Sequence, residues 1–123
     1  MTSHIPPGRP AVIPRLFTAD VAGLAHFMRE VFAAEGDDNA DAPTELFIGG
    51  SPIMVSDGGG ARTAQGAVLY VYVADVDAAV ARAAALGAKM VEAPVDTPWG
   101  DRRGIVEDRW NNSWQIATHR PRT

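Results

Sequence analysis

The sequence predicts an α+β domain in which one strand–helix–strands pattern is written twice. Three observations carry this. Ala19-Asp20-Val21 returns as Ala74-Asp75-Val76, each time between a β-type run and a helix-type one. Short strand-like runs follow both helices, and a glycine-rich polar stretch joins the halves. Neither half, at about fifty residues, would bury enough apolar surface to fold alone, whereas two halves sharing a sheet would.

The elements follow in order. Val12 to Thr18 reads as a strand, and Asp20 is placed to accept from the free N–H groups of a helix's first turn. That helix spans Val21 to Ala34, with Leu24, Phe27, Met28, Val31 and Phe32 at helical spacing. Glu35 to Pro43 holds Gly36, Asp37, Asp38, Asn39 and Asp41 where a strand is due, and reads as a loop or a frayed edge strand. Glu45–Ile48 and Pro52–Ser56 are β-type runs. Ser56-Asp57-Gly58-Gly59-Gly60 through Gln65-Gly66 is a flexible crossover. The second copy runs through strand Val68–Val73, a helix from Asp77 to Leu86 ending at Gly87, and strand Lys89–Ala93. A Trp-Gly turn, strand Arg103–Glu107, a polar corner Asp108–Asn112 and a last strand Ser113–Thr118 complete it. The chain is thus expected to be a single domain over residues 1–123, with module one at 10–57, a linker at 57–66 and module two at 67–119.

Bulk properties exclude several classes. With 46% hydrophobic and 21% charged residues the chain is ordinary for a globular protein. Its net charge is −4 and its eleven basic residues are scattered, so no nucleic acid and no membrane is expected as a partner. There is no cysteine, hence no disulfide, thiolate metal site or cysteine nucleophile. Met1 to Pro10 lacks the apolar segment of a signal peptide, and the apolar run Ala67–Ala74 is too short to cross a bilayer, so a cytoplasmic location is expected. Gly58-Gly59-Gly60 does not lead into Lys-Ser/Thr and is no phosphate loop.

The stretch from Pro98-Trp99-Gly100-Asp101-Arg102 to Ile116-Ala117-Thr118-His119, together with the duplicated pattern, resembles the vicinal oxygen chelate superfamily. That superfamily contains glyoxalase I, extradiol dioxygenases, fosfomycin-modifying enzymes and bleomycin-resistance proteins. The resemblance covers nearly the whole chain and implies paired βαβββ modules forming a curved eight-stranded mixed sheet with helices on the convex face. In metal-dependent members each copy gives two ligands, from its first and last strands. The family spacing puts Ile13, Met54, Val68 and Gln115 at those places. Of these only Gln115 offers a suitable oxygen, and one amide is not a site. His4, His26 and His119, in the N-terminal segment, the first helix and the end of the last strand, do not repair it. No metal and no cofactor are therefore expected. The family's Asp-Pro-x-Gly corner stands here as Asp108-Arg109-Trp110-Asn111-Asn112, with Asn111 suited to the left-handed conformation glycine normally supplies.

Side chains alternate along strands, so these positions mark the face that looks into the cavity. That face carries Ile13, Arg15 and Phe17, then Val68, Tyr70 and Tyr72, with Met54, Gln115 and Phe47; the opposite parity (Leu16, Ile53, Val55, Val71, Trp114, Ile116) lies under the helices. Arg15 in such a face needs a partner, either Glu45 or Glu107 in the scaffold or an anionic ligand. By resemblance to bleomycin-resistance proteins, Trp99 offers a stacking surface and Arg102 a charged rim; the other reading of Trp99 is a buried anchor for its turn. The candidate ligand-binding set is Arg15, Phe17, Phe47, Met54, Tyr70, Tyr72, Trp99, Arg102 and Gln115. The function expected is metal-independent binding of a small aromatic or partly anionic molecule by sequestration or carriage, as in antibiotic resistance, with a homodimer completing the groove. The alternative is a metal-free isomerase, cyclase or lyase, with Tyr70, Tyr72 and Glu45 as acid/base groups and Arg15 stabilising negative charge. A third reading is a protein-interaction subunit with a vestigial groove.

Overall fold

The computed structural model describes residues 4–38, 43–57 and 66–120. Its elements are β1 (Arg15–Phe17), α1 (Val21–Phe32), β2 (Thr44–Ile48), β3 (Ser51–Ser56), β4 (Val68–Tyr72), α2 (Val76–Ala85), β5 (Lys89–Asp96), β6 (Asp101–Glu107) and β7 (Ser113–His119). The duplication is visible at both helix starts. Asp20 accepts from Gly23 N at 3.0 Å and Asp75 from Ala78 N at 3.1 Å, each cap contributing about 1 kcal/mol.

The expected eight-stranded sheet is instead seven strands in two sheets among the described residues, ordered β1-β3-β2 and β4-β7-β6-β5. Two causes are visible. The missing strand of the first module is reduced to one bridge between Glu35 and Phe47; Gly36, Asp37 and Asp38, which follow it, are poor strand formers. Asn39 and Asp41 of that stretch, and Gly58 to Gln65 of the crossover, lie outside the described residues. The second cause is at the seam. β1 pairs with β3 and β4 with β7, and the gap beside β4 is lined by Pro10 and Pro14, which bring no N–H to a ladder.

Strand limits shift: β1 is Arg15–Phe17 rather than Val12–Thr18, which leaves Ile13 ahead of it, β5 continues past Ala93 through register shifts, and β6 begins at Asp101 rather than Arg103. The face parity read from the sequence holds. Leu16, Leu46, Val55, Val71, Val106, Trp114 and Ile116 are buried with Leu24, Phe27, Met28 and Val31 of α1 and Val76, Val80 and Ala83 of α2. Trp114 on β7 sits against Phe27 and Phe32, with ring centroids 6.3 and 4.7 Å away, so α1 is docked on the second sheet as well as its own. Gly104 permits the close approach of α2, since a Cβ there would lie 2.9 Å from Val80 Cγ2.

The polar corner after β6 is a buried hydrogen-bond hub. Asp108 accepts from the backbone N–H groups of Trp110 and Asn112, from Asn112 Nδ2 and from Trp114 Nε1, at 2.8–3.0 Å. Asn111 takes a φ of 71°, as its place in the corner requires. Trp110 is half-buried, edge-on to Phe27, and its Nε1 donates to the helix-capping carboxylate of Asp20 at 3.1 Å. Among the described residues no helix is long and apolar enough to cross a membrane.

Candidate functional site

The sheet faces away from the helices carry the candidate residues, and the two modules use theirs differently. In module one, Met54 stands in register between Arg15 and Glu45. The Glu45 carboxylate is ion-paired with Arg9, whose guanidinium also lies 5.9 Å from the centre of the Phe47 ring. The segment before β1 therefore lies over this half of the open face, a coverage that the polar, proline-rich N-terminal sequence did not announce. Arg15 is exposed; its Nε donates to Ser56 Oγ at 3.1 Å and its guanidinium sits 5.1 Å from the Phe17 ring centre. Neither Glu45 nor Glu107 partners it. Phe17, Phe47 and Met54 are half-buried.

In module two the open face is bare. Val68, Tyr72 and Trp99 are 71%, 59% and 57% exposed, and Tyr70 is exposed beside them. Gln115 stands opposite Tyr70 and Ile105 in the ladder, half-buried. A cleft of about 530 Å³ runs along the seam, with Pro10, Val12, Pro14, Pro52 and Ile53 on one side and Leu69, Tyr70, Val71 and Tyr72 on the other. Arg102 is not part of this face. It lies on the helix-covered side, where Nε and Nη2 grip both oxygens of Asp77 on α2 at 3.0 and 3.1 Å, with Asp96 at 3.4 Å. The period-2 alternation explains it: Gly104 and Val106, two and four residues on, also face α2.

The organising residue is one the sequence reading left in a turn. Asp101, the first residue of β6, is 2% exposed. Its Oδ2 accepts from the hydroxyls of Tyr70 and Tyr72 at 2.7 and 2.9 Å and from Trp99 Nε1 at 3.1 Å. Its Oδ1 lies 2.9 Å from His119 Nδ1, and Thr97 pins its backbone from both sides. The bonds from His119 and Tyr70, then those from Tyr72 and Trp99, hold the carboxyl at about 2, against a burial that raises it. Conversely, burial and the bond to Asp101 raise the Tyr70 phenol, and the bond to Asp101 is the main cause of the rise at Tyr72. Phenols and carboxylate thus reinforce one another: protonated donors around an ionised acceptor. The available signal was parity, because Asp101 alternates with Arg103 and Ile105 and faces His119 in the ladder.

At the positions that the family resemblance assigns to metal ligands, the donors are wrong. Ile13 and Val68 have none, Met54 offers only a thioether, and Gln115 a single amide oxygen. Among the described residues no three His, Asp or Glu side chains gather at one place. This set does not fit a metal ion.

The comparisons agree with this architecture. The family model of the Glyoxalase/Bleomycin resistance protein/Dioxygenase superfamily matches residues 11–116. The uncharacterized protein Mb0911c of Mycobacterium bovis is 32% identical over 125 residues, spanning 88% of this chain and 82% of its own. Rv0887c of Mycobacterium tuberculosis, also uncharacterized, is 32% identical over 88% of this chain and 74% of its own. The crystal structure of TioX from Micromonospora sp. ML1 matches with a TM-score of 0.75 at 26% identity, covering 89% of this chain and 98% of that one. The fosfomycin resistance protein FosX of Listeria monocytogenes shares the fold, with a TM-score of 0.67 at 20% identity over 96% of this chain and 94% of its own. The duplicated modules, the matched span and these relatives place the chain in the glyoxalase/bleomycin resistance/dioxygenase superfamily, the vicinal oxygen chelate group, to which it belongs.

Proposed function

We propose that this chain binds a small aromatic organic molecule without a metal and acts by sequestering or carrying it. The observation that supports the reading best is the wall made by Tyr70, Tyr72 and Trp99. Three aromatic side chains stay open to solvent beside a cleft, yet their polar atoms are tied to one buried carboxylate. Exposed aromatic area held rigid in this way costs little entropy to use in binding. Any anionic part of the ligand would find Arg15, whose side-chain partners are a hydroxyl and a ring rather than a carboxylate. Native mass spectrometry of gently purified protein tests the reading. A retained organic molecule is expected, with well under one equivalent of transition metal by elemental analysis. A stoichiometric metal whose chelation also releases the bound molecule would defeat it.

One observation favours a second reading, a metal-free isomerase, cyclase or lyase. Asp101 and His119 form a carboxylate–imidazole pair at the edge of the wall, an arrangement that orients a general base. Tyr70, Tyr72 and Glu45 suit that role less, because each is already engaged by Asp101 or Arg9.

A further inference from the structure

We propose that the Asp101 cluster makes the wall of Tyr70, Tyr72, Trp99 and His119 an acceptor-only surface, selecting flat aromatic molecules that carry a hydrogen-bond donor such as a phenolic O–H or an aromatic N–H. The inference rests on the groove reading above and deepens it by assigning a polarity to the site.

An ionised carboxylate can only accept hydrogen bonds. Every group that touches Asp101 through its side-chain oxygens must therefore point a proton inward. The Tyr70 and Tyr72 hydroxyl protons go to Oδ2, which leaves each phenol oxygen with lone pairs alone for a ligand. Trp99 commits its single N–H to the same oxygen, so its exposed ring offers no donor to a ligand. His119 faces Oδ1 through Nδ1, so that nitrogen carries the proton in the neutral ring and Nε2 keeps a lone pair. The ring of His119 is well exposed, with 59% of its side chain open to solvent. With a neutral His119 ring, the donors of two tyrosines, a tryptophan and a histidine are thus all turned into the protein.

Two neighbours carry donors of their own. Gln115 lies further along β7, in register with Tyr70. Arg103 lies 5.4 Å from the Trp99 ring centre with Nη2 directed at Glu92 Oε1 at 3.4 Å. The Arg103 Nε is buried without a partner and out of a ligand's reach. The charge in direct contact with the wall is the Asp101 carboxylate, which favours a polarised O–H or N–H; the Arg103 guanidinium beside Trp99 and Tyr70 is the opposing charge.

Equilibrium dialysis of the full chain with three probes of one shape tests this: 2-naphthol, 2-methoxynaphthalene and 2-naphthoate. The naphthol should bind at least roughly fivefold more tightly than the methyl ether, the scale of one hydrogen bond, and more tightly than the naphthoate. Asp101→Asn should erase that preference, because its amide needs an acceptor and releases hydroxyl protons toward the groove. Long-range proton–nitrogen NMR of the ligand-free protein should show neutral His119 protonated on Nδ1, a readout independent of any probe. Equal binding of naphthol and its ether, both weakened by Trp99→Ala, would overturn the polarity and leave the groove standing. A preference for naphthoate that Arg103→Gln removes would overturn it in favour of an anion site at Arg103. His119 protonated on Nε2 would also overturn it. Binding of none of the three would remove the groove reading and this inference together.

Discussion

The hydroxyls of Tyr70 and Tyr72 meet on one oxygen, Asp101 Oδ2, at 2.7 and 2.9 Å, while their rings lie 5.4 Å apart at 58°. Residues two apart on a strand share a face but usually have separate partners. Here a single acceptor two strands away, across β7, draws both together, so the tyrosines should behave as a coupled pair in solution.

Because the chain has only these two tyrosines, phenolate absorbance reads them without interference. Both should ionise above the ordinary value of 10.0, Tyr70 because of burial and its bond to Asp101, Tyr72 mainly because of that bond. A phenol whose folded value is raised contributes stability that is whole below 10.0 and disappears as pH climbs through the folded value. Asp101→Asn should bring both titrations back toward 10.0. Two tyrosines titrating at or below 10.0 in the native chain would contradict the hub.

The acid side has the opposite sign. Asp101 is held at about 2 from an ordinary 3.8, so its contribution is present above 3.8 and lost as pH falls toward 2. Urea midpoints of the native chain and Asp101→Asn should therefore differ at neutral pH and converge across that interval. A difference that stays constant through it would show that the carboxylate's charge is not what the wall depends on.

Asp108 should matter more to folding than to binding. Its four donors include the indole N–H of the fully buried Trp114 and both nitrogens of the buried Asn112. Asp108→Ala leaves those groups without acceptors, at a cost of roughly 3 kcal/mol or more. Denaturant unfolding checks the value, and a loss below about 1 kcal/mol would mean that the corner re-pairs itself.

How far the sequence reached is clear from particular residues. Ala19-Asp20-Val21 and Ala74-Asp75-Val76 gave the duplication, because a helix cap has a fixed chemistry and a fixed place. Leu16, Val55, Trp114 and Ile116 fell on the helix side as alternation required. Arg102 and Asp101 were missed together. Starting β6 at Arg103 left both in a turn, where parity has no meaning, and one sits under α2 while the other organises the open face. The Arg9–Glu45 contact joins residues 36 positions apart through a segment with no periodicity of its own, so no local pattern could disclose it.

A homodimer remains our proposal, and it follows from edges. β4 uses one edge for β7, and its exposed Val68 and Tyr72 lie beside the seam cleft. An open apolar edge strand attracts a partner. Light scattering should give about twice the 13.1 kDa of the chain; a monomer at micromolar concentration would leave the seam open for ligand alone.

Arg15 is the point mutant that separates binding from scaffold. Its equivalent in the second module is Tyr70, and like Tyr70 it sits on the open face rather than beneath a helix. Of the two carboxylates expected as alternatives to an anionic ligand, Glu45 is taken by Arg9 and Glu107 lies on β6 of the other sheet, leaving Arg15 with the Ser56 hydroxyl and the Phe17 ring. Those two exposed contacts stabilise the fold little, since no desolvated charge is left behind when they go. Arg15→Ala should therefore keep the melting temperature within a few degrees of the native chain. If the bound molecule carries an acidic group there, its affinity should fall by roughly 1.5–3 kcal/mol, the scale of a hydrogen bond to a charged group. Arg9→Ala is the internal contrast: it strands the largely buried Glu45 carboxylate and should lower the melting temperature more than Arg15→Ala does. A large drop in melting temperature for Arg15→Ala with unchanged ligand affinity would move Arg15 into the scaffold and remove it from the proposed ligand contacts.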